Sequence, residues 1–361
     1  MSCEAHGQIA KLYGYYFCCS FSSRRPAINS AMKIHPFIIG RGMSSMAIAK
    51  ALSVIQIVDA ELDIAPPVQI GRHQPLTGLA DSVENPLLCI GNPHGLHAGY
   101  IADGDRTGFH DIVVDKPSCV SLEEIASLRE ISARVAVLHG FRQMWGPQSI
   151  KQMLDDQDFG DLISIEGRYW QSSAADIAFG PDPPQDKAWK NDRDLNGDFD
   201  TLVDLGTHWT DLMLFLTGER PKSARVWLSF ANAIAPHRDT HAHLYFEFSK
   251  FRSLGSISKT VHGAGNDLEF TVIGTKRAAT WAVREPDEIR LSRGNQTSIL
   301  RRKSGRYGSQ QPTFHGLGWL EGYTEIIHNF LLIRAGKDAP SVPTLPENLT
   351  VMEVLLGAET L

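Results

Sequence analysis

A lysine, an aspartate and a histidine carry the clearest chemistry in this sequence. Lys116 follows an apolar run at 112–114, and Pro117 restricts the backbone of the lysine before it, which suits a side chain that must point one way. Asp204 and His208 stand four residues apart in an apolar stretch, so on a helix they share one face. Histidine is the natural proton acceptor near neutral pH, and a buried carboxylate beside it holds its tautomer. The pattern therefore predicts a proton-handling pair together with an oriented lysine.

Each of these residues also has a structural alternative. Lys116 is compatible with a rim ion pair to Asp115. Asp204 and His208 are compatible with a polar contact inside a core, or with a carboxylate that serves the helix dipole. The elements that carry these residues must therefore be located before a function is assigned.

A glycine-rich turn near residue 40 predicts a dinucleotide site. The apolar run 37–39 leads into GRGMSS at 40–45 and then into apolar residues at helical spacing. In such a strand–turn–helix, the first glycine permits the tight turn, and the second lets a pyrophosphate approach the free N–H groups of the helix start. A small Ser45 replaces the third glycine, which serves close packing. The predicted contacts are Gly40, Gly42, Met43 and Ser44, and the alternative is that the glycines serve the turn only.

The residue that follows the next strand would choose between the two nicotinamide dinucleotides. We place this strand at 67–70, so that Arg72 follows it, and an arginine there suits the 2′-phosphate of NADP. The distance from Gly42 to Arg72 is longer than the usual spacing of about 20 residues, and a solvated surface charge is the alternative. A rival frame makes 56–58 the strand and Asp59 the ribose ligand, but the double proline at 66–67 argues against it. The prediction is NADP or NAD, with a lean toward NADP.

Two more predicted strands end at the same rim. The apolar run 86–91 leads into the loop NPHGLH at 92–97, and the run 112–114 leads into Lys116. The carboxyl ends of parallel strands form the edge at which open sheets bind ligands. The predicted cofactor contacts at this rim are Asn92, Pro93, His97 and Asp115.

The chain changes character near residue 160. Before it, strands alternate with helices, which predicts a doubly wound parallel sheet at 32–155. After it, the segments are rich in β-formers and closely spaced, which predicts an α+β domain with a large, mostly antiparallel open sheet at 156–361. Helices are expected at 202–219, with Gly218 as the stop signal, and at 320–336. Residues 1–31 lack an apolar period, and we interpret them as a disordered or non-native extension, with a targeting peptide as the lesser alternative.

Composition excludes several classes of function. The 361 residues are 42% hydrophobic and 21% charged, which is typical of a globular protein of two domains. A net charge of -6 gives no electrostatic footprint for nucleic acid, and no apolar run approaches the length of a membrane span. Five scattered cysteines favour a reducing, cytoplasmic setting. His241 and His243 would share a strand face, but they have no acidic or cysteine partner nearby in sequence, so we predict no metal site.

The order of these motifs resembles the Gfo/Idh/MocA family, which includes glucose–fructose oxidoreductase and inositol dehydrogenase. The shared features are the glycine-rich turn, N-P-H-x-x-H at 92–97, D-K-P at 115–117 and D-L-G-T-H-W-T-D at 204–211. EFTVIGTKRAATWAVREPDEI at 269–289 is similar to a later strand pair of that family, and the resemblance covers nearly the whole chain from Met32 onward. The family usually has E-K-P where this chain has D-K-P, and glycines where this chain has N-G-D at 196–198.

The resemblance implies a nicotinamide-dependent oxidoreductase. It implies a Rossmann domain and a C-terminal sheet that faces the nicotinamide and commonly mediates homodimers or homotetramers. The substrates would be sugars, cyclitols or related polyols. The catalytic residues of the family fall on Lys116, Asp204 and His208. His208 would take the hydroxyl proton, Lys116 would stabilise the developing alkoxide, and Asp204 would support His208.

The substrate hydroxyls and two other functions remain open at this point. The candidates for hydroxyl contacts are Arg142, Tyr169, Trp189 and Asn196, together with Trp145, Lys190 and Asn266. One alternative is a dinucleotide-sensing regulator without turnover. The other is a relative that keeps its cofactor bound and cleaves glycosidic bonds through a transient oxidation. The presence of all three catalytic residue types favours the dehydrogenase.

Overall fold

Two β-sheets, each with helices packed on it, build this protein. A computed structural model describes residues 31–180, 192–303 and 318–361. The stretch from Met32 to Leu361 groups into one unit by its contacts. None of the helices in the described ranges is long and apolar enough to cross a membrane.

The first sheet is parallel and doubly wound, as the sequence predicts. Its strand order is β2-β1-β4-β5-β6, and β3 pairs with the second half of β1. Both faces are covered, so β4 and β5 are apolar at nearly every position rather than alternating. The strands are β1 (Met32–Ile39), β2 (Leu62–Ile64), β3 (Val68–Ile70), β4 (Pro86–Ile90), β5 (Asp111–Val114) and β6 (Arg134–Val137). The helices up to this sheet's end are α1 (Met43–Val58), α2 (His97–Arg106), α3 (Leu122–Leu128) and α4 (Trp145–Asp155).

Helix boundaries in this half follow local signals. Ser121 and Glu124 form a capping box at the start of α3, with Ser121 accepting from the Glu124 N–H and the Glu124 carboxylate accepting from the Ser121 N–H. The rival frame with a strand at 56–58 is wrong, because α1 continues to Val58. Asp59 caps this helix and accepts a hydrogen bond of 2.8 Å from His328 Nε2.

The second sheet has nine strands and is mostly antiparallel, which confirms the predicted fold class. Its order is β14-β13-β12-β11-β7-β10-β9-β8-β15, and only the β10–β7 and β15–β8 pairs are parallel within the described residues. The strands are β7 (Leu162–Gln171), β8 (Ser223–Ser229), β9 (His241–Glu247), β10 (Arg252–Ser258), β11 (Asn266–Gly274), β12 (Ala278–Ala282), β13 (Glu288–Arg293), β14 (Gln296–Arg301) and β15 (Glu359–Thr360). The remaining helices are α5 (Ser173–Phe179), α6 (Arg193–Asn196), α7 (Thr201–Asp204), α8 (Gly206–Thr217), α9 (Trp319–Arg334) and α10 (Leu345–Leu356).

The helix expected at 202–219 is divided. α7 ends at Asp204, α8 begins at Gly206, and the single residue between them, Leu205, keeps right-handed helical dihedral angles at φ -100° and ψ -37°. Gly218 ends α8 in the left-handed conformation at φ 65°, as predicted from its position. Asp204 and His208 therefore lie on two consecutive short helices, and the shared-face argument from a single helix does not hold.

The C-terminal part of the chain returns to the parallel sheet. Ile327 and Leu331 of α9 lie in the same apolar cluster as Ile48 and Leu52 of α1. This cluster covers one face of the parallel sheet, so α9 contributes to the half that the sequence analysis places at 32–155. The predicted division at residue 155 remains a prediction.

Candidate active site

Lys116 and Asp204, which are far apart in sequence, are in contact. Lys116 follows β5, and its Nζ donates to Asp204 Oδ1 at 2.5 Å and to the Asp204 carbonyl oxygen at 2.8 Å. The Lys116 side chain is 9% exposed and that of Asp204 is 18% exposed, so this ion pair is largely shielded from water. The alternative ion pair to Asp115 does not form, because the Asp115 carboxylate accepts from Ser44 and Tyr323.

A second lysine, which the sequence analysis does not anticipate, contacts the same carboxylate. Lys259 follows β10, and its Nζ lies 2.8 Å from Asp204 Oδ2 and 2.7 Å from Asp200 Oδ1. His94 also approaches, with its Nε2 3.9 Å from Asp204 Oδ1. Asp204 thus lies between an ammonium group from the parallel sheet and one from the mixed sheet.

The His208 ring lies in a largely aromatic enclosure. Its centroid is 4.8 Å from that of Phe141, 5.6 Å from that of Tyr169 and 5.9 Å from that of His139. Burial, followed by the nearby Lys116 ammonium, lowers the pKa of His208 well below its usual value. The ring is therefore neutral at neutral pH and can accept a proton.

Asp204 does not orient His208 directly. In the described part of the chain no hydrogen bond joins the two side chains, since the Asp204 carboxylate accepts from Lys116 and Lys259 instead. The expected direct support of His208 by Asp204 is corrected to an influence through charge, because Asp204 still raises the pKa of His208 against the larger effect of burial.

Two glycines position the helix that carries His208. Gly167 of β7 and Gly255 of β10 are register partners in the parallel pair. A Cβ atom at Gly255 would lie 2.6 Å from the Trp209 indole, and one at Gly167 would lie 2.9 Å from it. The missing side chains therefore make a groove for Trp209, which fixes α8 and the adjacent His208 on the sheet.

The glycine turn is closely packed on its inner side. Gly40 has φ +101°, and a Cβ atom there would lie 2.7 Å from the Gly91 carbonyl oxygen. Ser45, at the third position of the pattern, is buried and donates to the Gly91 carbonyl oxygen at 2.9 Å. Gln69 Nε2 donates to the Gly40 carbonyl oxygen at 2.7 Å, a support that the sequence analysis misses. Small residues thus hold the start of α1 against the end of β4.

The outer side of the same turn fits a dinucleotide phosphate. Nothing lies within 4 Å of a Cβ atom built on Gly42, and the neighbouring Met43 is 68% exposed. The N-terminus of α1 has no side-chain cap and no acidic residue in its first turn, so its N–H groups and positive dipole end are available to an anion. Asn92 adds an acceptor to the rim, since its Oδ1 is buried without a hydrogen-bond partner in the described residues.

Two predicted cofactor contacts are used inside the fold. The His97 ring is fully buried, with Nδ1 2.6 Å from the Pro117 carbonyl oxygen and Nε2 2.8 Å from that of Asn92. It therefore ties the two rim loops together, and its role is corrected from cofactor contact to loop support. The Asp115 carboxylate, 2.6 Å from both Ser44 Oγ and Tyr323 Oη, holds the turn to Lys116's loop and to α9. Pro93 precedes the short 3-10 helix His94–Leu96 at that rim.

Arg72 is exposed at the carboxyl end of β3. This strand pairs with the end of β1, immediately before the glycine turn. The Arg72 carbonyl oxygen accepts from Tyr100 Oη at 3.0 Å, which fixes the backbone while the side chain stays at the surface.

The substrate candidates separate into different surroundings. Tyr169 lies beside His208, and its Oη donates to Asn266 Oδ1 at 2.7 Å. Asn196 is buried on α6, where its Nδ2 donates to the Asp192 carbonyl oxygen. Trp145 begins α4 and is partly buried against the core. Trp189 and Lys190 lie outside the described residues.

Arg142 is used in packing rather than for substrate. Its guanidinium pairs with Asp211 at 3.1 Å and Glu347 at 3.0 Å, and it lies over the Phe215 ring. Burial nevertheless raises the pKa of Asp211 to about 7. The prediction of a hydroxyl contact from Arg142 is therefore corrected, because its donors join α8 to α10.

The described residues contain no group of three or more His, Cys, Asp or Glu side chains that could hold a metal ion. The His241 and His243 rings lie side by side, with centroids 4.6 Å apart and planes tilted by 40°, and His241 Nε2 lies 3.3 Å from Ser256 Oγ.

Comparison with known proteins identifies the mixed-sheet half. Residues 148–280 match the family model of the GFO/IDH/MocA C-terminal domain. This part of the chain is similar to that domain. No curated protein matches the sequence.

Solved structures share the fold over most of the chain. An inositol dehydrogenase homolog from Azotobacter vinelandii, complexed with NAD+, superposes with a TM-score of 0.76 at 18% identity, covering 91% of this chain and 95% of its own. An oxidoreductase domain protein from Kribbella flavida gives 0.75 at 18% identity, covering 90% and 95%. Levoglucosan dehydrogenase, in complex with NADH and levoglucosan, gives 0.72 at 18% identity, covering 90% and 95%. At this identity the likeness establishes the fold of the chain and not its substrate.

Proposed function

We propose that this protein is an NAD(P)-dependent dehydrogenase that oxidises a secondary hydroxyl of a sugar, cyclitol or related polyol, or catalyses the reverse reduction. One observation carries the proposal. Lys116, Asp204 and the neutral His208 ring gather beside the rim at which the glycine turn is held by the Ser44–Asp115 hydrogen bond. Proteins that share the fold are described with NAD+ or NADH and with myo-inositol or levoglucosan.

Lys116, Asp204 and His208 would have different roles in the transfer of the hydroxyl proton. A bound nicotinamide dinucleotide would supply the hydride acceptor, held at Gly42 and the start of α1. His208 would take the hydroxyl proton, which its lowered pKa permits by keeping the ring neutral. The Lys116 ammonium, fixed by Asp204, would donate a hydrogen bond to the same substrate oxygen as negative charge develops on it. Phe141 and Tyr169 would limit water around the imidazole.

Arg72 is the residue that favours NADP over NAD. An exposed guanidinium at the end of β3 suits a 2′-phosphate, whereas an NAD enzyme commonly has an acidic residue there. We expect Arg72→Ala to lower kcat/KM for NADP by about tenfold or more while changing that for NAD by less than about twofold. Steady-state kinetics with both cofactors measures this, with Arg293→Ala on β13 as a remote control. Equal losses with both cofactors would contradict the assignment.

The exposed face of the mixed sheet is proposed as the surface for a second copy of the chain. Trp227 pairs with His243, and His243 pairs with Ser256, so these residues share one face, as does Leu254 two positions along β10. Trp227 is 63% exposed and Leu254 is 47% exposed. A homodimer or homotetramer through this face would bury both side chains.

The decisive experiment is a dehydrogenase screen of the full chain. NAD and NADP are offered with sugars and cyclitols, including myo-inositol and levoglucosan, and cofactor reduction is followed by absorbance. Lys116→Met should lower the rate about 10²- to 10³-fold, whereas Lys250→Met, at an exposed turn, should not. Dinucleotide binding without reduction across the panel would favour the regulator. Release of sugar from glycosides without net reduction would favour the bound-cofactor hydrolase.

A further inference from the structure

We infer that Lys259 is a positioning residue of this site, which keeps Asp204 ionised and directed toward Lys116. The inference rests on the proposed function and extends its machinery to a residue of the mixed sheet. Lys259 is 2% exposed, and its Nζ bridges Asp200 Oδ1 and Asp204 Oδ2 at 2.7 and 2.8 Å.

The backbone around Lys259 is fixed from two sides. The Lys259 N–H donates to the Thr240 carbonyl oxygen at 3.2 Å, and the Lys259 carbonyl oxygen accepts from the Ala174 N–H at 2.9 Å. Lys259 directly follows β10, and Lys116 follows β5 by two residues, so each sheet leads into a buried ammonium group at the end of a strand. The two lysines approach the Asp204 carboxylate through different oxygens.

Asp200 is held as firmly as the lysine. It stands four residues before Asp204, at the start of α7, so both carboxylates can reach one partner. The Asp239 carboxylate accepts from the Asp200 N–H at 2.5 Å and from the Leu202 N–H at 2.7 Å. Asp239 thus anchors the first turn of α7 independently of Lys259.

The buried Lys259 side chain remains protonated. Burial by itself would lower the pKa of this ammonium, but the carboxylates of Asp200 and Asp204 outweigh burial and raise it. A buried cation that remains charged needs anionic partners, and in return it stabilises the ionised form of Asp204. Without Lys259, Asp204 Oδ2 would lose this charged contact, and the carboxylate would be held less firmly toward Lys116.

The charged and titratable groups around Asp204 determine the direction in which the acid limb of the pH–rate profile should move. Among the described residues they include Lys116 after β5, Lys259 after β10, Asp200 on α7, His94 on the 3-10 helix, Tyr169 on β7 and His208 on α8, and His139 faces the His208 ring. Removing the Lys259 charge makes this surrounding more negative, which favours protonation of both Asp204 and His208. Either effect moves the acid limb of the pH–rate profile to higher pH. Removing the Asp200 charge has the opposite sign.

The test compares variants of the full chain. Lys259→Met should lower kcat about tenfold to hundredfold and move the acid limb of kcat/KM up by about one pH unit, with dinucleotide affinity unchanged. Lys259→Arg should return the limb to its wild-type position, because the charge is retained. Asp200→Asn should move the limb to lower pH. Lys250→Met is the matched control, since it removes an exposed lysine.

The outcomes are distinct. An unshifted limb in Lys259→Met, or an equal shift in Lys259→Arg, would leave Lys259 a purely structural residue and overturn the inference. If Lys259→Met does not fold, the Asp200→Asn variant provides the test. An acid limb that stays in place or moves to higher pH in Asp200→Asn is also incompatible with the inference. A wild type that reduces neither NAD nor NADP overturns the proposed function and this inference together, whereas an active wild type with unshifted variants overturns only the inference.

Discussion

The His208 side chain is buried among aromatic rings, and the lowered pKa of its imidazole favours the neutral form, which can accept a proton. Its ring packs against Phe141 and Tyr169, and burial keeps its pKa well below the usual value for histidine. A base with a lowered pKa is active above that pKa and loses activity as the pH falls through it. The ring can therefore act at neutral pH without first losing a proton.

We expect the acid limb of kcat/KM to lie below about pH 6.5 in the wild type, because the free base persists below the usual histidine pKa. His208→Asn should lower kcat about 10²- to 10⁴-fold, since a general base is removed, and should leave dinucleotide affinity unchanged. Kinetics across pH and a fluorescence titration with the dinucleotide measure the two effects. A variant within tenfold of the wild-type kcat would exclude His208 from proton transfer.

His139 shows the same burial without an assigned chemical role. Its Nε2 lies 2.7 Å from Asn348 Nδ2, and burial, followed by Arg142, lowers its pKa well below the usual value. The folded protein therefore holds this ring neutral, whereas the unfolded chain takes up a proton near pH 6.5. The stability that His139 contributes is full above that pH and is lost as the pH falls below it.

We therefore expect the difference in unfolding free energy between wild type and His139→Gln to shrink below about pH 6.5, by at most about 1.4 kcal/mol per pH unit. Urea unfolding of both proteins between about pH 8 and about pH 5.5 gives this difference. Using the difference cancels the contributions of titratable groups that do not contact His139. A difference that is constant over this range would contradict the expectation.

At the scale of elements, the turn between β1 and α1 has two different sides. One side packs against Gly91, and the other, at Gly42, is open to a ligand. A Cβ atom at Gly91 would lie 2.8 Å from the Ser45 backbone nitrogen, whereas one at Gly42 would meet nothing within 4 Å. Gly42 has φ -82°, which alanine adopts without strain. The two glycines therefore allow stability and cofactor binding to be tested separately.

We expect Gly91→Ala to destabilise the protein by about 1–3 kcal/mol, because the start of α1 must move away from β4. Gly42→Ala should change the unfolding free energy by less than about 0.5 kcal/mol. It should nevertheless weaken dinucleotide affinity by about tenfold, since a methyl group occupies the surface that the pyrophosphate approaches. Urea unfolding and calorimetric titration measure the pair. Unchanged affinity in Gly42→Ala would mean that the glycine serves the turn only.

At the scale of the whole molecule, the site requires contributions from both sheets. Lys116 comes from the parallel sheet and Lys259 from the mixed sheet, and Asp204 on α7 binds both. The face of the mixed sheet opposite to α8 stays exposed, with Trp227 and Leu254 among its large apolar side chains. Association through that face would leave the site on the other face of the sheet unobstructed.

We expect the wild type to behave as a dimer or tetramer and the double variant Trp227→Glu, Leu254→Glu to dissociate, because two charges would be buried at the interface. Light scattering over a dilution series measures the mass. Ile57→Glu, at an exposed apolar residue of α1, is the control and should keep the wild-type mass. A wild-type monomer at all concentrations would contradict the proposal.

The sequence alone determined the two-sheet architecture and the order of its elements. Strand and helix periods depend on neighbouring residues, so the β1–turn–α1 unit, the capping box at Ser121 and the stop at Gly218 were all accessible from local pattern. The contact of Lys116 with Asp204 is compatible with strand polarity, but the other partners of the Asp204 carboxylate were not predictable. Only the tertiary structure decided that Lys259 shares the carboxylate and that His97 and Arg142 are used in packing. It also decided that, among the described residues, the Asp204 carboxylate binds lysines rather than the His208 ring. These contacts depend on the meeting of two sheets and on packing between residues up to 205 positions apart, such as Arg142 and Glu347, which leaves no period in the sequence.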